Sequence, residues 1–255
     1  MPSFTLPLNS SGKQGAGTPC GGGFSLVEMA IVLLIVGLLL GGLLLPLSAQ
    51  IDQRNYNETQ QQISEIRDAL IGFAVVNRRL PRPATSATNG AENPALCPAA
   101  GCTGLIPWAT LGVKKTDAWN HIIRYSVTPA YANAPFTLTT NGSLKVKTRD
   151  SAGITSYLIG SDSSCSASPC APAVIYSTGK NNWGITEDGT ALADGSSTNV
   201  DEDLNANPQA NAFSTPVFFS RNPSTVPVGG EFDDIVVWIP PYLLMNRMIS
   251  AGQLP

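Results

Sequence analysis

The chain has 255 residues, a formal net charge of -3, 43% hydrophobic residues and 13% charged ones. That length suits one domain of ordinary size with a segment to spare, and the near-neutral balance leaves no basic footprint for nucleic acid. Distribution says more than the sum: from Glu187 onward nine acidic residues stand against only Arg221 and Arg247, so the C-terminal third predicts an acidic surface.

The first predicted element is apolar. Between Phe24 and Asp52 the only ionisable side chain is Glu28, and a hydrocarbon core takes about 20 apolar helical residues to cross. Residues 24–48 therefore predict a membrane-spanning helix. A carboxylate inside such a helix costs roughly 2.5 to 3.5 kcal/mol at mid-membrane, so Glu28 calls for a cationic partner. A secretory signal peptide fits less well, because the apolar run is too long and Ser48-Ala49-Gln50 follows it too late to serve as the cleavage site.

Beyond the apolar run the period changes. Ile63, Ile66, Leu70 and Phe73 recur at steps of three and four among Gln, Glu, Arg and Asp, the pattern of a helix with one apolar face. One helix is predicted over 24–77, about 80 Å at 1.5 Å per residue. Pro46 removes a backbone donor and predicts a kink or local melting. Gly37, Gly41 and Gly42 fit close helix approach, loss of helix outside lipid, or plain membrane-helix composition.

Gly23-Phe24-Ser25-Leu26-Val27-Glu28, followed by this helix, resembles the processing site of type IV pilins and of the pseudopilins of type II secretion. The resemblance implies a leader, 1–23, cut after Gly23 by a prepilin peptidase, which then methylates the new amine of Phe24. It makes Glu28 the fifth mature residue, the acid that pairs with a neighbouring subunit's terminal amine. An embedded carboxylate and an embedded ammonium offset each other's desolvation only when brought together. The leader carries one basic side chain, Lys13, and is longer than the shortest leaders of that family. The fold implied is α+β and pilin-like: a long N-terminal membrane-spanning helix packed on an antiparallel β-sheet head, residues 78–255. The partners implied are the peptidase, other pilin or pseudopilin subunits, an inner-membrane assembly platform and the membrane. Localisation would be the inner membrane, single-pass with the head in the periplasm, and then a pilus or pseudopilus.

Residues 78–107, rich in Pro, Ala, Asn, Gly and Thr, predict a long connecting loop. Thr116-Asp117-Ala118-Trp119-Asn120 predicts a turn leading into a strand over 122–127. It resembles the Asp-Pro-Trp-Gly turn of pseudopilins, with Ala118 and Asn120 in place of proline and glycine. Further strands are predicted at 136–140, 144–148, 156–160, 173–178, 217–220 and 235–239, and a short terminal helix at 242–250. Strands after one long helix suggest an α+β arrangement.

Cys20 falls in the leader. The other four cysteines form two equal spacings, Cys97 to Cys102 and Cys165 to Cys170. In an exported domain such thiols end as disulfides, here as two local bridges, with the other two pairings open and a four-thiolate zinc site as the rival. Among Glu187, Asp188, Asp194, Asp201, Glu202 and Asp203, with interspersed Gly and Asn, lie hard oxygen ligands suited to calcium. Asp188, Asp194, Asp201 and Asp203 are the calcium candidates, against the alternative of a solvated acidic loop; the major pseudopilins carry a calcium-binding loop late in their sheet region, though no residue correspondence can be drawn. Asp233 and Asp234 read as a turn at the start of a strand.

No catalytic constellation stands out. His121, beside Trp119, reads as structural, and Ser177-Thr178-Gly179-Lys180 lacks the upstream glycine of a phosphate loop, Val174 standing there. The expectation is a structural subunit and not an enzyme, without cofactor unless calcium, in a type IV pilus or a secretion pseudopilus. The size of the head favours a minor or specialised subunit. The alternative is a membrane-anchored periplasmic binding module or enzyme whose helix is only a tether.

Overall fold

The computed structural model describes residues 23–99, 101–162, 164–165, 168–208, 216–225 and 228–254, without the side chains of 42–47. The expected leader, Gly23 apart, and Cys20 lie outside the described residues. α1 (Leu26–Asn77) is a single helix. It is continuous through Pro46, so the local melting expected there does not occur. By contacts the chain divides into two units, one ending at Ala49 and one comprising Gln50–Pro255, and each is described by itself.

The expectation of a membrane-spanning helix is overturned: among the described residues no helix is long and apolar enough to cross a membrane. The apolar stretch whose side chains are described, 26–41, is about 24 Å long at 1.5 Å per residue, short of the roughly 30 Å of a hydrocarbon core. From Ser48 the sequence turns polar.

In the second unit three residues of the predicted stripe, Ile63, Ile66 and Leu70, enter the core at 1% exposure or less together with Thr59 and Ala74, at the spacing that stacks side chains on one helix face; the fourth, Phe73, is only half-buried and lies under Arg79, Ala74 taking its place inside. The chain then forms β1 (Cys102–Leu105), α2 (Trp108–Leu111), β2 (Arg124–Val127), α3 (Pro129–Ala132), β3 (Lys145–Arg149), β4 (Thr155–Ile159), β5 (Ala173–Ser177), α4 (Val200–Ala206), β6 (Val217–Phe219), β7 (Ile235–Trp238) and α5 (Pro241–Ser250).

The strands form two sheets. The first has the order β1-β2-β5-β7 and is antiparallel throughout, with Tyr125 opposite Ile175 and Ile175 opposite Val237. The second has the order β4-β3-β6, and its β3 and β6 run parallel. The expected antiparallel head is thus corrected at one pair. A parallel pair needs a long crossover, which the chain between β3 and β6 supplies.

Alternation along β5 explains the layering. Ala173 and Ile175 join Ile63, Ile66 and Leu70 of α1 in one cluster, whereas Val174 and Tyr176 join Leu144, Val146 and Phe218 in another. Successive strand residues point to opposite faces, so the first sheet lies between α1 and the second sheet. All of β5 is buried as a result.

Both local disulfides are present, Cys97–Cys102 with Cα atoms 5.2 Å apart and Cys165–Cys170 at 5.3 Å. The first explains an element absent from the sequence reading. In the expected loop 78–107, Cys102 is tied to Cys97 and starts β1, paired in register with Val127. The expected strand over 136–140 is a turn instead. Phe136 packs on Tyr131 with ring centroids 4.8 Å apart, and Tyr131 Oη donates to Thr140 O at 2.6 Å. The Thr140 hydroxyl accepts from Thr137 N–H, the local competition that draws threonine-rich segments away from a ladder.

Candidate functional site

Gly23, Phe24 and Glu28 lie at the start of α1. The Glu28 N–H donates to Ser25 Oγ at 3.1 Å, and Ser25 N–H donates to Glu28 Oε2 at 3.4 Å. This reciprocal pair is a capping box, Ser-Leu-Val-Glu, which satisfies two amides of the first helical turn. Glu28 thus has an intramolecular role that the processing motif did not suggest. Around it the surface is apolar on every side. Phe24 is 77% exposed and Leu26 88%, and the six consecutive residues from Ile31 to Val36 are all exposed. Six residues exceed one helical turn, so no polar face exists there. A helix apolar all round belongs inside other apolar matter.

The second unit holds a different concentration of chemistry. Glu202 of α4 meets Asp233 and Asp234, which precede β7, with one carboxylate oxygen from each within 4.8 Å of the others. Asp233 Oδ2 accepts from the backbone N–H groups of Lys180 and Asn181 at 3.1 and 2.9 Å. Glu202 Oε1 accepts from Asp233 N–H at 2.7 Å, and its Oε2 accepts from Asn199 Nδ2 at 2.9 Å and Asn182 Nδ2 at 3.3 Å. Asp234 Oδ2 accepts from Asn205 Nδ2 at 2.7 Å. Asp234 also lines a cavity of about 730 Å³ together with Tyr56, Arg149, Ser220 and Arg221.

Burial raises all three acids. It pushes Asp233 up to about 7 and Asp234 well above the ordinary carboxylate range, and it raises Glu202; the negative neighbours add to each shift. A carboxyl whose pKa is raised by folding favours the protonated form, so the folded state binds more protons than the unfolded one between the two values. The contribution of Asp233 to stability is therefore fully present below the ordinary value of 3.8 and is lost as pH rises through about 7. Glu92, lowered by the Arg79 side chain that hydrogen-bonds it, works oppositely, losing stability as pH falls below its ordinary 4.5. Urea unfolding without divalent cations is expected to show lower stability at neutral pH than near pH 5, and Asp233→Asn to flatten that slope. An unchanged slope in the variant would refute the assignment to Asp233.

The four calcium candidates from the sequence lie outside this cluster, Asp194 touching it only through the Asn199 Nδ2 that it shares with Glu202. Asp188 accepts from the Thr186 hydroxyl and from Thr190 N–H. Asp194 accepts from Ser196 N–H at 3.0 Å and Asn199 Nδ2 at 3.2 Å. Asp203 accepts from Trp183 Nε1 at 2.9 Å. Asp201 is fully buried between two arginines: Arg149 donates Nε to Oδ2 at 3.0 Å and Nη2 to Oδ1 at 2.8 Å. Arg221 Nε lies 3.0 Å from Oδ2, a charge contact whose direction does not meet hydrogen-bond geometry. The acidic C-terminal third is thus partly interior.

Glu202, Asp233 and Asp234 were missed as a group because they are 31 residues apart in sequence. One signal was present. Adjacent strand residues face opposite sides, so of two neighbouring acids at the head of a buried strand one must point inward, and Asp234 does, at 4% exposure.

The turn at Asp117 is structural. Asp117 Oδ1 accepts from Trp119 and His121 N–H, both at 2.9 Å, and its Oδ2 accepts from Ser177 Oγ at 2.5 Å. Asn120, standing where the resembling turn has glycine, takes φ +64°, a region asparagine tolerates better than most residues. His121 Nδ1 lies 2.8 Å from Gly179 O, which ties the turn to the end of β5. No family model, no curated protein and no solved structure matches the chain.

Proposed function

We propose that this protein is a structural, pilin-like subunit, cut after Gly23 and methylated at Phe24, that assembles with copies or relatives of itself into a type IV pilus or pseudopilus filament. The observation that carries the reading is the surface over 29–41, apolar on every side of the helix, joined to the motif Gly-Phe-Ser-Leu-Val-Glu at its start. Helices apolar on every side are accommodated by bundling with one another, as in the core of a filament. In that bundle Glu28 pairs with the terminal amine of a neighbouring subunit. The two disulfides support a head that folds in an oxidising compartment, outside the cytoplasm. The partners are a prepilin peptidase, an inner-membrane assembly platform and other subunits, and the chain performs no catalysis of its own.

Mass spectrometry of sheared filaments and of membranes tests this. The expected result is a peptide that begins at Phe24 with a methylated amine, present in the filament fraction. A chain still carrying residues 1–23, or cut elsewhere, would overturn the reading.

A further inference from the structure

We propose that the open edge of β7 is a docking site for an extended, uncharged peptide segment of a partner protein, which adds to the first sheet as a further strand. β7 ends that sheet. Ile239 N–H donates to Ala173 O at 2.9 Å, and the antiparallel register of β5 and β7 carries the same phase to Val237 and Ile235. Val236 and Trp238 therefore turn their N–H and C=O groups away from β5. Val236 O accepts from Ser220 Oγ at 3.3 Å, but among the described residues neither the Val236 nor the Trp238 N–H donates to a partner. Val236 is only 6% exposed, and a backbone donor so placed is normally paired.

A second observation is the space beside this edge. Residues 234–237 line the cavity of about 730 Å³, together with Tyr56 and Gln60 of α1 and with Thr148 and Ser220 from the side of the second sheet. That volume falls within the roughly 300 to 1,000 Å³ of ligand pockets, and four residues of added strand would extend about 13 Å along it. Two other edges are closed. Ala84 exchanges backbone bonds with Leu105 of β1 at 2.9 and 3.0 Å, and the Asn205 side chain bonds both the N–H and the C=O of Phe219 in β6. An edge left unpaired is a template for another chain, and here it has room for one.

The surroundings select the partner's chemistry. Arg149 and Arg221 are held by the buried Asp201, Asp150 is exposed, and burial favours the neutral form of Asp234, so the lining is electrically balanced. A charged side chain brought into it would lose water without gaining a counterion. Side chains of an added strand would face α1 and the second sheet in turn, because Val237 packs with the α1 cluster and Val236 with the other. Hydroxyl, amide and small aliphatic groups suit both walls. Main-chain bonds then supply affinity and the walls supply selectivity. A second copy of this chain is a poorer occupant, since its own β7 lies between the same two walls. Every residue involved belongs to the second unit, so the inference stands apart from filament assembly.

The test is selection of phage-displayed random peptides of about eight residues, long enough to cover the edge, on detergent-solubilised full-length chain. Enriched sequences with runs of about four uncharged residues and micromolar affinity are expected. N-methylation of every second backbone nitrogen of the best peptide should weaken binding at least about tenfold in one of the two alternating sets and little in the other, because only one set faces the edge. Gln60→Arg, an exposed change on the α1 wall, should weaken binding at least about fivefold, while Tyr242→Ala on α5 leaves it unchanged. Hydrogen exchange of the wild-type chain should show new protection of the Val236 and Trp238 amides on binding. No enrichment, enrichment of charged runs, indifference to N-methylation, or protection confined to other segments overturns the proposal.

Discussion

Asp201→Asn is expected to destabilise the head by about 3 to 5 kcal/mol, the range for removing one partner of a buried ion pair. Asp201 is 0% exposed and shared by two arginines whose side chains are 20% and 8% exposed. Asparagine keeps the shape but leaves two desolvated guanidinium groups without an anion. The arginines are also committed elsewhere: Arg149 donates to Gly153 O, and Arg221 donates to Gly229 O and Gly230 O while stacking on Phe232. Neither can swing to solvent without breaking those contacts. Gly229 and Gly230 both have φ +82°, and a Cβ on Gly230 would fall on Thr198 O, so the loop that receives Arg221 is itself constrained. The control is Asp52→Asn. Its ion pair with Lys180 is 44% and 49% exposed, and pairs of that kind contribute about 0 to 1 kcal/mol. Urea unfolding at pH 7, with an unchanged denaturant slope, checks both. A loss under about 1 kcal/mol for Asp201→Asn would show that the two arginines do not depend on it.

Glu28→Leu should leave cleavage after Gly23 intact and cut incorporation into filaments by on the order of 100-fold, from about 3 kcal/mol for an ammonium left unpaired in an apolar bundle. Leucine is more compatible with its apolar neighbours than glutamate, so any loss cannot come from poorer packing of the rod. The capping box sharpens the experiment, because Glu28 also bonds Ser25 N–H within its own chain. Ser25→Ala removes the hydroxyl side of that box at a cost of about 1 kcal/mol and keeps the carboxylate. Assembly lost in Glu28→Leu but retained in Ser25→Ala assigns the effect to pairing between subunits. Equal incorporation of Glu28→Leu and wild type would favour a helix that serves only as a tether.

Part of the architecture is local enough to be read along the chain. The steps through Ile63, Ile66 and Leu70 predict a helix with one buried face, and they fill the core. The strands β3 to β7 arise near the expected positions because β-branched and aromatic runs bounded by turn residues carry their own signal. The cysteine spacing pairs as expected, since thiols five positions apart meet without help from distant chain. What failed locally failed for a reason. β1 is a four-residue strand defined by a disulfide and by Val127, and α4 is a seven-residue helix with an acidic first turn, buried by what packs on it.

By itself, then, the sequence determined the apolar N-terminal helix with its lone carboxylate, the amphipathic continuation and the α+β class, consequences of periodicity, and it favoured the two local disulfides that the structure then selected over the other pairings. Only the tertiary structure decided that the strands divide into two sheets with one parallel pair, that Asp201 is an interior anion between Arg149 and Arg221, and that Glu202 meets Asp233 and Asp234. Those are encounters between segments tens of residues apart. A charge in a sequence looks the same whether solvent or a neighbour will surround it, and packing alone settles which.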